Sequence, residues 1–362
     1  MKRVHAALAS REYDVLVGRD CLDGLGRALW SRAPGGQVVV CCDEHVAPLY
    51  LEEVRAGLRT AGYSVSQVVV PAGERQKSLA RAEELYGVLY DRGVRRGDTL
   101  VALGGGVIGD LAGHVAATFQ RGVRLAQVPT TLLAQVDAAI GGKVAVDFRA
   151  GKNYVGTFYQ PWLVFADLKT LDTLPEREFL SGAAEVAKYA FLCGGEMLTR
   201  TERLAGAALT AGRVSQELVA GCARFKLDVV AEDEREETGR RAVLNLGHTL
   251  GHAIEAATGF SRFSHGEAVA LGLRAALWLS RRLCGLPAAE EARGLALLDG
   301  LGLPSKLDGV AADDIAQLTR RDKKAGPQGV GYVLLDALGA PRPDVRVPPE
   351  LELEVSRWLT AS

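Results

Sequence analysis

The first half of the chain alternates short β-type apolar runs with stretches of helical periodicity, and that alternation leaves few folds open. EYDVLVG, QVVVCCD, SVSQVVV, DTLVALGG, RLAQVP and WLVFADL each read as strands. Between several of them, about Glu44 to Ala61, Ser78 to Arg92 and Val107 to Phe119 carry apolar residues at helical spacing. Strand and helix in turn mean βαβ crossovers and a largely parallel sheet. Ligands of such sheets sit at the carboxyl ends of the strands. After DTLPEREF the pattern changes: from about Glu176 to Leu301 the apolar spacing is helical, with stops at the glycine pair 194–195 and at Leu286–Pro287. The expected architecture is therefore α/β, with a Rossmann-like, mostly parallel sheet domain over 1–174 and an all-helical domain over 175–362. The active site is expected in the cleft between them. Pro341 to Glu350, rich in proline, is expected as an extended surface segment.

Composition narrows the function classes. At 362 residues, two domains with real cores are the natural prior. A formal net charge of -1 argues against electrostatic capture of nucleic acid or an anionic membrane, so the expected partner is a small molecule. No run approaches the roughly 20 apolar residues of a membrane helix, and MKRVHAALASREYDV has no signal-type apolar stretch. A cytoplasmic location is expected. The six cysteines (Cys21, Cys41, Cys42, Cys193, Cys222, Cys284) lack metal-type or redox-type spacing and read as reduced, mostly buried thiols.

In DTLVALGGGVIGDLAG an apolar strand ends at Gly104 and a helix can open directly afterwards, so Gly104, Gly106 and Gly109 stand where a dinucleotide fingerprint belongs. Glycines let the backbone approach a pyrophosphate, and free N–H groups at a helix start attract its charge. A glycine-rich turn is often only a tight connection; here the strand before it and the helix after it supply the context. The acidic residue usual about 20 positions downstream, which would hold an adenosine ribose, is missing, since that region reads RLAQVPTT. Asp43, ending QVVVCCD, is the candidate in its place.

Three of the six histidines stand between positions 248 and 265. A lone histidine is more often a structural or surface residue than a ligand, but a cluster reverses that preference. Within LNLGHTLGHAIE, His248 and His252 are four apart on one helix face, and His265 begins the next helix in FSHGEAVALG. Spacing alone pairs His248 with His252. Glu185 in SGAAEVAKYA is a carboxylate candidate, because an acid among small apolar neighbours is costly without a partner. Cations and an asparagine stand beside glycines or small residues: Lys143 in GGKVAVD, Lys152 and Asn153 in GKNYVGTFYQP, and Lys188 in AEVAKYA. Lys226, Arg241, Lys323 and Lys324 follow. Singly, most read as solvated charges; converging, they imply a substrate bearing phosphate and carboxylate.

In order, PAGERQKSL, GGGVIGDLAG, FQRGV, QVPTTLLAQVDAAIGGK, GKNYVGTFYQP, AAEVAKYA, LNLGHTLGHAIE, SHGEAVALG and DKK make the chain resemble the 3-dehydroquinate synthase family of sugar-phosphate cyclases, from about Asp43 to Leu335. The resemblance implies a phosphate-eliminating lyase that turns 3-deoxy-D-arabino-heptulosonate 7-phosphate into 3-dehydroquinate, the second step of the shikimate pathway to chorismate and the aromatic amino acids. It also implies bound NAD, zinc or cobalt, and a homodimer. The family's NAD oxidises a ring hydroxyl, phosphate leaves, the hydride returns and an aldol step closes the carbocycle, so the cofactor ends oxidised. Carried over, the metal ligands are Glu185, His248 and His265, and His252 moves to the substrate. Asp43, Gly73, Glu74, Arg75, Gln76, Lys77, Gly105, Gly106, Val107, Ile108, Gly109, Asp110, Thr130, Thr131, Asp137, Lys143, Lys152, Thr170, Leu171, Asp172 and Thr173 are implied around NAD. Lys143, Asn153, Lys188, Lys226, Arg241, Asn245, His252 and one or both of Lys323 and Lys324 are implied to hold substrate, with Arg121 reaching the phosphate in the neighbouring subunit. DEREETGRRAVLN is one residue longer than the family's usual spacing, which leaves Glu236 or Glu237 as the acidic site residue and weakens the choice of Arg241 over Arg240. The alternatives are another cyclase, making an inosose or a valiolone, or a metal-dependent polyol dehydrogenase. Arg121, Asn153, Arg241 and His252 fit a substrate with both phosphate and carboxylate and argue against the other cyclases.

Overall fold

The computed structural model describes residues 1–149, 151–206, 210–260, 262–320, 325–326 and 329–360. Its strands are β1 (Lys2–Ala7), β2 (Glu12–Gly18), β3 (Gln37–Asp43), β4 (Ser64–Val70), β5 (Thr99–Gly104), β6 (Arg124–Pro129), β7 (Lys143–Phe148), β8 (Gly151–Phe158), β9 (Leu163–Asp167), β10 (Ala325–Gly326), β11 (Gly329–Ala337) and β12 (Ala340–Val347). Its helices are α1 (Leu25–Trp30), α2 (Glu52–Thr60), α3 (Leu79–Asp91), α4 (Gly106–Thr118), α5 (Glu176–Cys193), α6 (Gly195–Ala205), α7 (Gln216–Glu232), α8 (His248–Ala257), α9 (His265–Leu283), α10 (Ala288–Gly300), α11 (Ala312–Arg320) and α12 (Pro349–Thr360). None of these helices is long and apolar enough to cross a membrane.

Seven strands form one sheet in the order β1-β2-β9-β6-β5-β3-β4, parallel throughout except for β1. Its residues alternate between two cores. Val38, Val40 and Cys42 of β3 pack with Leu25, Leu29, Val54 and Leu58 on one face, while Val39 and Cys41 pack with Leu85, Leu89, Leu111 and Val115 on the other. Burial on both faces is why these strands read as continuous apolar runs. It also explains the thiols: burial pushes Cys41 and Cys42 up to about 12, and none of the six cysteines is in a disulfide. From β3 the chain first adds β4 on one side, then β5, β6 and β9 on the other. The connection direction thus reverses between β3 and β5, and a crevice opens there at the carboxyl ends.

The chain divides into two compact units, 1–174 with 214–235, and 175–213 with 236–362. The expected division at 174 therefore needs one correction. Helix α7 returns to the first unit, where its buried face (Leu218, Val219, Cys222, Leu227, Val230) packs on β1, β2 and the turn 134–138. The expectation of an all-helical second half is amended as well. The segment around Pro341 and Pro343 is strand β12, paired antiparallel with β11 at the edge of a three-stranded sheet, where a missing N–H is tolerated. The helix expected from Glu44 begins instead as turns. Pro48 stands in a π-helical turn, Ala47–Leu51, and regular α-helix starts only at Glu52.

Candidate functional site

In the first unit, the register Cys42↔Leu103 sets Asp43, the last residue of β3, beside Gly104, the last residue of β5. Asp43 Oδ1 accepts the backbone N–H groups of His45 and Val46, both at 2.9 Å, so its carboxylate is fixed at the crevice. Gly105 is extended and α4 opens at Gly106. A Cβ on Gly104 would lie 2.8 Å from the Ile108 side chain, and one on Gly105 would lie 2.9 Å from Thr131. Gly106 has no such packing demand, its nearest neighbour being Ala138 at 3.6 Å. A bare helix start at a switch point, with two positions that reject side chains, fits a pyrophosphate. Val107 follows on the first turn and Ile108 points into the core.

Around this turn the structure gathers many of the residues implied for NAD. Gly73, at φ 104, opens the turn Glu74–Gln76, and Gln76 accepts from Arg81 Nε at 2.9 Å. Lys77 is buried, pairs with Asp110 at 2.5 Å and donates to the Asn153 side chain. Burial works against both charges of that pair. It raises Asp110, whereas Lys77 is held above its ordinary value because Asp110 and Glu74 outweigh its desolvation. Asn153, in the left-handed region at φ 53, donates its N–H to Asp147 at 2.8 Å, and Lys152 lies 3.6 Å from Glu74. Thr130 N–H donates to the Gly104 carbonyl at 3.0 Å, and Thr131 Oγ1 accepts from Ala134 at 3.2 Å to start the π-helical turn Ala134–Ala138. That turn carries Asp137, to whose carbonyl and carboxylate the buried Lys226 donates. Lys143 is exposed at the start of β7. In the turn Leu168–Thr173, Thr170 donates to the Asp167 carbonyl at 2.8 Å, Leu171 is buried, Asp172 pairs with Arg19 at 2.8 Å and Thr173 bonds Tyr50. Gln120 and Arg121 both have positive φ, 50 and 63, and Arg121 is exposed. Two such residues in succession are held at a cost of about 1–3 kcal/mol each.

In the second unit, close helix contacts build a tighter cluster. A Cβ on Gly266 would stand 2.2 Å from the Ser181 carbonyl oxygen, and Gly266 N–H donates to Ser181 Oγ at 3.0 Å. This presses the start of α9, and hence His265, against α5 one turn before Glu185. Gly247, Gly251 and Gly272 let α8 meet α9 just as closely. Glu185 is fully buried among Gly182, Ala183, Ala184 and Ala187, and pairs with the buried Lys188 at 2.5 Å.

His248 Nε2 lies 3.4 Å from Glu185 Oε1, and His265 Nε2 lies 3.3 Å from the same oxygen. These three residues offer ligand atoms all within 4.8 Å of one another. The edge of a tetrahedron around zinc is about 3.4 Å for bonds near 2.1 Å, so the donors already stand close to coordinating distance. His248 Nδ1 lies 3.1 Å from the Leu246 carbonyl, an arrangement that leaves Nε2 for an ion. Burial pushes His248 down to about 3, which keeps it neutral; burial would lower His265 too, but Glu185 and Glu255 push it up to about 10. The set fits a divalent metal.

His252 is exposed and edge-on to His248, with ring centroids 5.4 Å apart. Arg241 is almost fully buried on the turn Arg240–Asn245, with Nε 3.9 Å from Glu236 Oε1, whereas Arg240 is exposed. Asn245 closes that turn. Lys323 and Lys324 lie outside the described residues. Sequence reasoning missed Glu255, whose Oε2 is 3.5 Å from His265 Nδ1. Its signal was present: it stands seven residues after His248, two helical turns on, as an acid in the apolar run HAIEAA.

Known proteins resemble most of the chain. A family model described as 3-dehydroquinate synthase N-terminal matches residues 67–181, and one described as 3-dehydroquinate synthase C-terminal matches 182–325. The chain is 42% identical over 341 residues to a 3-dehydroquinate synthase of Desulforamulus reducens, covering 94% of this chain and 95% of that one. It is 44% identical over 347 residues to one from Nitrobacter hamburgensis, covering 93% and 90%. Among solved structures, a 2-deoxy-scyllo-inosose synthase complexed with carbaglucose-6-phosphate, NAD+ and Co2+ superimposes with TM-score 0.86 at 27% identity, covering 99% of each chain. A 2-epi-5-epi-valiolone synthase from Streptomyces hygroscopicus with NAD+ and Zn2+ gives 0.85 at 26%, covering 99% of this chain and 98% of that one.

Proposed function

The chain belongs to the 3-dehydroquinate synthase family, and from that premise we propose which of its residues convert 3-deoxy-D-arabino-heptulosonate 7-phosphate to 3-dehydroquinate and phosphate, a step of the shikimate pathway. NAD and a zinc or cobalt ion are the cofactors. The observation that carries the assignment is the convergence of Glu185, His248 and His265, from three helices, at coordinating distance. When bound, NAD supplies a reversible hydride acceptor and the metal a Lewis acid at the hydroxyl that is oxidised.

The chain's own residues position and neutralise. In the first unit, Asp43, the stretches 73–77 and 105–110, Thr130, Thr131, Asp137, Lys143, Lys152 and the turn 170–173 surround NAD. Lys152 and Asn153 hold the phosphate group, and Lys143 and Lys226 meet the substrate's anionic groups. Asp137 holds the Lys226 ammonium in one orientation. In the second unit, Glu185, His248 and His265 ligate the metal. Lys188 stabilises negative charge developing on the oxygen being oxidised, and Arg241, Asn245, His252 and one or both of Lys323 and Lys324 bind substrate. Breaking the carbon–oxygen bond to phosphate makes the reaction a lyase step. The working assembly on this reading is a cytoplasmic homodimer, with Arg121 of one copy reaching the phosphate bound by the other.

Specificity is the test. The heptulosonate phosphate, which carries a carboxylate, is expected to turn over with kcat/KM at least about 1,000-fold above phosphorylated sugars lacking one, because the latter forgo the charge-assisted hydrogen bonds that the carboxylate would make to cations such as Arg241. Comparable turnover of a carboxylate-free sugar phosphate would place the chain's activity with the other cyclases.

A further inference from the structure

Glu255 has no part in the roles assigned above. It is buried on α8, with Oε2 3.5 Å from Nδ1 of His265, while Nε2 of the same ring faces Glu185 Oε1 at 3.3 Å. The two nitrogens of one imidazole are thus each turned to a carboxylate. As a metal ligand the ring gives up the second proton it otherwise carries between the two carboxylates, and the neutral imidazole then offers one donor and one acceptor. With the proton on Nδ1 it donates to Glu255 and presents the Nε2 lone pair towards Glu185 and His248. His248 is held in the same way by a different acceptor, the carbonyl of Leu246 two residues upstream. His265 is the first residue of its helix and takes its acceptor from the side chain of the neighbouring helix instead.

We propose that Glu255 is the positioning residue of the metal centre: by accepting the Nδ1–H bond of His265 it fixes the tautomer and orientation of that ligand and strengthens its donation through Nε2. The inference rests on the reading of Glu185, His248 and His265 as ligands. A rival use of the same atoms exists, because His252, Glu255 and His265 also bring ligand atoms within 4.8 Å of one another and so offer a second cation position.

The experiment strips the full chain of metal, titrates it with cobalt(II), and follows the visible absorption and competition with a chelator. The unaltered chain, E255A and E255Q are compared, and the melting temperature of each metal-free form is recorded. The unaltered chain is expected to bind one cobalt. E255A is expected to bind one cobalt about 10- to 100-fold more weakly with a shifted absorption band, and E255Q, whose amide oxygen still accepts from Nδ1–H, to recover most of the affinity. The metal-free melting temperatures are expected to agree. Unchanged affinity and absorption in E255A overturn the inference. Equal losses in both variants, matched by lowered metal-free melting, make Glu255 merely structural and overturn it too. Two cobalt ions in the unaltered chain and one in E255A make Glu255 a ligand of a second site and likewise overturn it. Should E255A not fold, E255D, one methylene short of Nδ1, is expected to bind cobalt more weakly than E255Q; the reverse order overturns the inference. No cobalt in the unaltered chain would remove the ligand reading and the inference with it.

Discussion

Gly272 and Gly247 meet backbone to backbone: a Cβ on Gly272 would stand 1.8 Å from the Gly247 carbonyl oxygen. This contact sets the approach of α9 to α8, and with it the distance between the ring of His265 and those of His248 and His252. Gly272→Ala is therefore expected to cost about 1–3 kcal/mol of stability and to weaken metal binding, although residue 272 touches no ligand. Chemical denaturation alongside a chelator competition checks both. Loss of stability with unchanged metal affinity would separate the helix contact from the metal centre.

Removing ligands should sort the histidines. His265→Ala is expected to lose most of its bound metal, while His252→Ala keeps near-normal metal content and loses turnover. Metal analysis of the purified variants reads this directly. Equal metal loss in the two would restore the same-helix pairing that spacing alone favours.

Asp14 is a third point of test, distant in role from the chemistry. It is buried against Arg3 at 3.0 Å, His5 at 2.9 Å and Arg32. Burial works against its charge, but hydrogen bonds from His5, Arg32 and Arg3 hold it below the usual carboxylate range. Because its folded pKa lies below its unfolded one, the stability it contributes is fully present above the unfolded value near 4 and is lost as pH falls towards the folded value. Asp14→Asn is expected to cost about 1–3 kcal/mol at neutral pH and to narrow its gap from the unaltered chain below about pH 4. A gap that stays constant on acidification would contradict this.

Arg121 is exposed in the left-handed region and makes no demand on the core. Arg121→Ala should change stability by no more than about 1–2 kcal/mol while phosphate release falls by at least about 100-fold. If the residue serves the neighbouring subunit's site, mixing Arg121→Ala with His265→Ala chains and allowing exchange should restore about a quarter of full activity through the one intact site of each mixed dimer. No restoration would leave Arg121 acting within its own chain.

How much of this the sequence reveals follows from where each segment finds its partners. β3, β5, β6 and β9 are legible because burial on both faces makes them unbroken apolar runs, and the glycine turn is legible because its demands are local. The hairpin β7–β8 escapes notice because β8 is largely exposed and carries glycine, lysine and asparagine rather than an apolar pattern. β12 hides behind its prolines. The return of α7 to the first unit leaves no local mark, since an amphipathic helix reads alike whichever core it covers. His248 and His252 share a helix face in sequence, yet one is buried and the other exposed. The convergence of His265 on Glu185 depends on Gly266 lying against Ser181, a contact between residues far apart in the chain.

NAD is expected to act here as a returning cofactor in phosphate elimination. Purified chain with zinc and NAD, given 3-deoxy-D-arabino-heptulosonate 7-phosphate, should release inorganic phosphate over many turnovers while absorbance at the NADH wavelength stays flat. NADH accumulating in step with substrate loss, or no phosphate released at all, would contradict it.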